Sequence, residues 1–172
     1  IESYPVLGKV VDAPRLAKEG YKFINTIYRI DGQSERLDLF KSLGLSDGDL
    51  ATFIHPTAYS APSVVFEPGS VVMPYVMISA GARIGRGSLI MVGASIGHNT
   101  KLGPYSHVAA QAVVGAYIKT GTGVHIGLNA TLRENLEIGD FATVGMGAVL
   151  TKNVGEKEIW AGNPAKFLRM AQ

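Results

Sequence analysis

From Ile54 to Leu150 every sixth residue is aliphatic or close to it, and the register never slips. Reading by sixes gives Ile54, Ser60, Phe66, Val72, Ile78, Ile84, Ile90, Ile96, Leu102, Val108, Val114, Thr120, Ile126, Leu132, Ile138, Val144 and Leu150, with Ser60 and Thr120 as the two exceptions. The residue two places earlier is usually small, as at Ala82, Ser88, Ala94, Thr100 and Ala112, and the residue after is often glycine. A period of six fits neither a helix at 3.6 nor a strand alternating by two. It predicts a stacked coil in which three hexapeptides close one triangular turn, so residues eighteen apart lie above one another. The apolar positions then sort into three internal columns. Each buried aliphatic contributes roughly 1.5–3 kcal/mol, enough for the columns to hold a prism together. Pro62, Pro68, Pro74 and Pro104 fall two residues past internal positions, where corners are expected. The fold class is mainly β, a parallel β-helix of hexapeptide repeats.

The flanks differ. Ala13 to Lys18 and Ser34 to Gly44 read as short helices, the second stopped by Gly44. Phe23 to Tyr28, rich in β-branched and aromatic residues, reads as a strand. Residues 1–52 are therefore expected to form a partial α/β unit before the coil at 53–154. In the tail at 155–172, Pro164 is placed to open a short terminal helix. The opening phrase Tyr4-Pro5-Val6-Leu7-Gly8 reads as the interior of a longer chain, so a preceding piece is expected.

Composition narrows the chemistry. There is no cysteine among the 172 residues, which removes disulfides, thiolate metal ligands and cysteine nucleophiles. The formal charge is +2 with no run of like charges, so no nucleic-acid track is expected. No stretch approaches the roughly 20 apolar residues that span a bilayer, and no secretory leader stands at the start. A cytoplasmic location is compatible with all of this.

Acid–base chemistry falls first to the four histidines, His55, His98, His107 and His125. His55 precedes Pro56 and reads as a turn or capping residue. His98 stands in a column whose neighbours one turn away are Ala80 and Ala116, which suits either a base reaching into a groove or an exposed surface imidazole. His107 and His125, eighteen apart, should stack; they could line a ligand groove, supply half a metal site or lie on the surface. Zinc would need about three protein ligands, so a neighbouring subunit would have to contribute. Arg133-Glu134 reads as a solvated ion pair.

The run resembles the left-handed β-helix acyltransferases. Six phrases carry a closer likeness: Tyr4-Pro5-Val6-Leu7-Gly8, Ile54-His55-Pro56-Thr57-Ala58, Ile96-Gly97-His98-Asn99, Tyr105-Ser106-His107-Val108, Val144-Gly145-Met146-Gly147-Ala148-Val149 and Gly162-Asn163-Pro164-Ala165-Lys166. Over essentially its whole length the chain is similar to the sugar acetyltransferases acting on bacillosamine, perosamine and sialic acid. The resemblance implies a left-handed coil and transfer of an acetyl group from acetyl-CoA to an amine or hydroxyl of a nucleotide-linked sugar. It implies His98 as general base and the Ala116 amide as oxyanion donor. His107, Leu128 and Met146 match positions along acetyl-CoA, and Lys152, Lys166 and Arg169 are candidates for its phosphates. Sites between the subunits of a homotrimer come with the same resemblance.

Three departures stand out. Asn99 follows the histidine where relatives carry Asp or Glu, and a neutral amide cannot stabilise imidazolium by charge. Met91 stands where relatives often have Asn near the acceptor. Residues 1–52 lack the glycine-rich strand–turn–helix that cradles a nucleotide-sugar in the family. Two alternatives remain open here: a γ-class carbonic anhydrase with His107, His125 and a third histidine on zinc, disfavoured because no His-x4-His pair occurs, and a non-catalytic β-helix serving as an assembly or binding module.

Overall fold

The structure, a computed structural model, describes residues 3–27 and 33–171. Seventeen two-residue strands, from β1 (Phe53–Ile54) to β17 (Val149–Leu150), follow one another at six-residue intervals and wind nearly six turns. Every third strand belongs to the same sheet, and neighbours pair in parallel with partners eighteen residues apart. Sheet I contains the strands ending at Ile54, Val72, Ile90, Val108, Ile126 and Val144. Sheet II contains those ending at Ser60, Ile78, Ile96, Val114, Leu132 and Leu150. Sheet III contains those ending at Phe66, Ile84, Leu102, Thr120 and Ile138. The second residue of each strand points into the prism, and from Val72 onward the aliphatic ones are buried.

The corners explain the rest of the pattern. Every sixth residue from Gly69 to Gly147 has positive φ, whether it is glycine or a side-chain-bearing residue such as Tyr75, Asn99, Gln111 or Phe141. Proline or another residue precedes it and a residue that is usually small follows, the order of a type II turn. In turns such as Glu67–Ser70 the small residue donates its N–H back across the corner, Ser70 N to Glu67 O at 3.2 Å. The residue at that position is buried at every one of these corners, small at most of them and Val76, Ile118, Val124 or Leu136 at the others. Thr120, one of the two polar exceptions, accepts the Gly103 N–H at 2.8 Å, so its interior hydroxyl is satisfied.

The N-terminal residues hold helices α1 (Ala13–Lys18) and α2 (Gln33–Ser42), in agreement with the periodicity, and Gly44 ends the second with φ of 62°. The expected strand over Phe23–Tyr28 is a single parallel bridge, Phe23 to Leu50. Asn25 Oδ1 takes the Ile27 N–H at 3.0 Å, and that local turn diverts the backbone from a ladder. Tyr28 lies outside the described residues. Helix α2 and the turn after it rest on the corner between sheets III and I. Arg36 donates to Tyr105 O at 2.9 Å, Phe40 meets the Tyr105 ring edge-on, and Asp47 pairs with Arg86.

The tail corrects one expectation. Instead of a helix after Pro164, β18 (Glu158–Ala161) extends sheet I in parallel and β19 (Lys166–Met170) returns antiparallel beside it. The last coil leaves an open edge of N–H and C=O groups. Pairing with that edge outweighs the local helix-start signal.

Ile126 is fully buried in the middle of its column. Ile126→Ala is expected to lower unfolding stability by about 2–5 kcal/mol in chemical denaturation, through lost burial and a cavity that β-strands on both sides cannot close. A change below about 1 kcal/mol would show that the column is not the core.

Candidate active site

Along a corner, each positive-φ residue donates its N–H to the coil below, as Asn99 N does to Ala80 O and Tyr117 N to His98 O, both at 3.0 Å. The residue before it has no such carbonyl to meet. That is why proline is tolerated at 62, 68, 74 and 104, since it has no N–H to lose. Where the residue is not proline its amide can serve another purpose. Arg86 and Thr122 give theirs to Glu67 and Asp140 carboxylates. The amides of Ala110, Ala116, Leu128 and Met146 have no acceptor among the described residues.

His98, Asn99 and Ala116 lie together on the corner between sheets II and III. His98 and Asn99 are exposed, and the His98 ring stands edge-on to Tyr117 with centroids 4.9 Å apart. Asn99 Nδ2 is 3.1 Å from His98 Nδ1. An amide nitrogen can only donate, so this contact leaves the imidazole hydrogen on Nε2. A half-turn of the amide presents Oδ1 instead, draws the hydrogen to Nδ1 and frees Nε2 as a base. Beneath Ala116, a Cβ on Gly97 would stand 2.5 Å from the Ala116 nitrogen. Glycine at 97 is therefore what keeps that amide open.

A second constellation lies on the outer face of sheet I and its corner with sheet II. A cavity of about 460 Å³ is walled by Leu128, Met146, Ile159 and Leu168, with Met91 and both His107 and His125 also lining it. Its corner amides, Ala110, Leu128 and Met146, rise one per coil, about 4.8 Å apart. A Cβ on Gly127 would lie 2.6 Å from the Met146 nitrogen, so here too glycine exposes the amide above it. An apolar channel with a ladder of N–H donors along one side suits a long flexible chain carrying amide carbonyls.

His107 and His125 occupy adjacent rungs, with rings stacked 5.2 Å apart and Nδ1 to Nδ1 at 3.1 Å. They are 8% and 5% exposed. Burial lowers both pKa values, to about 3 for His107 and about 4 for His125. The neighbouring imidazole adds to the effect on His107, and the Arg36 guanidinium acts on both. The pair is thus neutral at pH 7, one ring donating its Nδ1 hydrogen to the other.

Other expected residues fall elsewhere. Met91 borders the sheet I cavity, on a different edge from Asn99. Lys152 is exposed on the His98 corner, two coils above Ala116. Lys166 is exposed at the start of β19, and Arg169 lines the cavity. His55 Nδ1 lies 2.9 Å from Thr57 Oγ1, closing a turn. Arg133 and Glu134 are exposed and form no ion pair with each other, so that expectation fails. Tyr117 escaped the sequence reading although it lies eighteen residues beyond Asn99. Among the described residues no three His, Cys, Asp or Glu side chains cluster as metal ligands.

The six-repeat bacterial transferase hexapeptide family matches residues 81–116. No curated protein matches the chain. Among solved structures, a variant of perosamine N-acetyltransferase from Caulobacter crescentus, in complex with CoA and GDP-perosamine, is 27% identical. It covers 98% of this chain and 80% of its own, with a TM-score of 0.87. The acetyltransferase domain of PglB from Neisseria gonorrhoeae, in complex with acetyl coenzyme A, is also 27% identical over 98% of this chain and 80% of its own, TM-score 0.86. WeeI from Acinetobacter baumannii is 25% identical over the same shares, TM-score 0.70. The repeats and the whole-chain likeness make this an enzyme of the acyltransferase class built on hexapeptide repeats. Within that class it resembles the sugar N-acetyltransferases.

The neutral histidine pair has a measurable consequence. Between about pH 6.5 and pH 4 the unfolded histidines bind protons that the folded ones refuse. Stability from this source is full above 6.5 and falls as pH drops through that window, on the order of 1 kcal/mol per unit for each ring. Urea denaturation across the window is expected to show a shallower fall for His125→Gln than for the parent chain. Equal slopes would mean the imidazoles are protonated in the folded protein.

Proposed function

We propose that the chain is an acetyl-CoA-dependent acetyltransferase acting on the amine, or a hydroxyl, of a nucleotide-linked sugar. The observation that carries this reading is the full-length likeness to enzymes whose complexes contain CoA with GDP-perosamine, or acetyl-CoA. The reading divides the chain into an N-terminal unit at 1–52, a left-handed coil at 53–154 and a tail at 155–172. Its setting is cytoplasmic, in keeping with the absence of cysteine. Among the described residues no helix is long and apolar enough to cross a membrane.

His98 Nε2 accepts the proton that the attacking nitrogen must lose as its bond to the acetyl carbon forms. The C–S bond breaks and the proton leaves with the thiol. Asn99 orients the ring through its amide. The Ala116 N–H faces the oxygen on which negative charge develops, a contribution worth several kcal/mol when such donors are preorganised. The sheet I cavity supplies the donor's channel, with Leu128 and Met146 amides for its carbonyls and the His107–His125 pair as a neutral wall. Lys152, Lys166 and Arg169 are assigned to the phosphates of CoA.

A triangular prism places sheet I opposite the corner between sheets II and III. His98 and His107 of one chain therefore stand on opposite sides of the coil, and a second copy has to bring its donor channel to this chain's His98. Sheet II is suited to that contact. Its outer face carries Tyr59, Met77 and Val113, all about half exposed, with Ser95, Thr131 and Val149, and no charge. It is bordered by the His98 corner on one side and by the Leu128 and Met146 corner on the other. A cyclic homotrimer closes such a heterologous contact.

Thiol release from acetyl-CoA with nucleotide-linked amino sugars tests the reading. His98→Ala is expected to lower kcat by about 10²–10⁴-fold while leaving the KM for acetyl-CoA near that of the parent. Asn99→Asp restores a carboxylate beside the ring, so the acid limb of the pH–rate profile is expected to move to higher pH. Parent-like turnover by His98→Ala on every accepted sugar would remove the base assignment and favour a non-catalytic coil.

A further inference from the structure

Within the corner between sheets II and III the left-handed positions are Gly81, Asn99, Tyr117 and Asn135. Glycine and asparagine enter that region with little strain, and a bulky side chain does so reluctantly. Tyr117 has a φ of 56° all the same, and its ring is what a glycine or asparagine there would not supply. That ring stands edge-on to the His98 imidazole, with centroids 4.9 Å apart and planes at 84°. The backbone of the same residue holds His98 as well, since the Tyr117 N–H donates to His98 O at 3.0 Å.

His98 needs such a hold. It is exposed, as Asn99 is, so water competes for both partners of the 3.1 Å contact between Asn99 Nδ2 and His98 Nδ1. A Cβ on Gly81 would collide with Asn99 Oδ1, which places the amide over the glycine one coil below. Asn99 thus meets one nitrogen of the imidazole, and Tyr117 meets the ring from the coil above. The amide governs which nitrogen carries the hydrogen, whereas an aromatic ring set across the imidazole restricts rotation of its plane. Tyr117 also follows Ala116 directly, so the turn that presents the open Ala116 amide delivers the ring. Base and oxyanion donor are then held by one rigid corner.

We propose that Tyr117 is a positioning residue for the general base. Its ring fixes the plane of the His98 imidazole, and with it the direction of Nε2 relative to the Ala116 N–H. The Tyr117 hydroxyl takes no part. The proposal rests on the transferase reading for the role of His98, but the order of the ring can be measured without any substrate.

Tyr117→Asn is the variant that tests it, because asparagine already occupies this corner at Asn99 and Asn135. It is expected to unfold at or above the parental temperature and to lower kcat about 10–10²-fold, with the KM of acetyl-CoA unchanged. Tyr117→Phe keeps the ring and is expected to keep the parental kcat. In the His98→Ala chain, adding Tyr117→Asn should cost nothing further, since the two residues act through one group. The carbon-13 order parameter of the His98 Cε1–H bond is expected to be high in the parent and in Tyr117→Phe, and to fall in Tyr117→Asn. Parental turnover by Tyr117→Asn would overturn the proposal, and so would an equal loss in the His98→Ala background. A Tyr117→Phe chain as impaired as Tyr117→Asn would overturn it too, by giving the hydroxyl the role. A His98 ring as mobile in the parent as in Tyr117→Asn would do the same. Failure of the transferase reading would look different: a His98 ring ordered by Tyr117 with no thiol release from any acceptor.

Discussion

Closing a triangle from two-residue strands requires a sharp turn every six residues, and here each such turn places one residue in the left-handed region. From Gly69 to Gly147 that requirement is met without exception. Glycine meets it at little cost and asparagine more easily than most side chains, which suits Asn99 to its corner. The same turn leaves the preceding amide with no carbonyl on the coil below. Proline fills some of these positions, carboxylates satisfy two, and the remainder are N–H groups directed outward from a rigid frame. The function proposed here draws on those amides. In the proposed function the donor beside His98 and the ladder along the sheet I cavity are one structural consequence used twice, and glycine lies in the coil beneath the Ala116 and Met146 amides.

The three faces of the prism then divide the work. Sheet I is extended by the tail and bordered by the N-terminal helix α2, and it buries two imidazoles too poorly solvated to hold a proton at neutral pH. Sheet II is exposed and uncharged, the character expected of a surface shared between copies. Sheet III carries the ion pairs Arg83–Glu67 and Lys119–Glu137. In the proposed reaction no single chain unites base and donor channel, because His98 lies on the corner opposite sheet I. Assembly is therefore part of the chemistry proposed here, and each face has a use only because the other two are occupied differently.

The coil was legible in the sequence because its packing rule is local and repeats: one inward residue in six, and a small residue at most corners. Counting in eighteens also placed His98 beneath Ala116 and His107 beneath His125 correctly. Where the repeat ends, that arithmetic ends too. The tail pairs with an edge that exists only in three dimensions, so Pro164 pointed to a helix where Lys166–Met170 forms a strand. Ile159 and Leu168 could not be assigned to the cavity for the same reason, whereas Arg169, expected near the phosphates of acetyl-CoA, does line it. Near Phe23 the competing hydrogen bond from Asn25 was the local feature that outweighed strand propensity. Tyr117 was within reach of the same counting, one coil above Asn99, but an aromatic at a corner reads as surface until its neighbour is known to be an imidazole.

Subunit complementation tests the central claim most directly. His98→Ala and His107→Ala chains, each expected to be nearly inactive alone, are unfolded, mixed in equal amounts and refolded together. If each site takes His98 from one copy and the donor channel from the next, random cyclic trimers should recover about one quarter of parental thiol-release activity. A mixture no more active than its two components would contradict a site shared between copies.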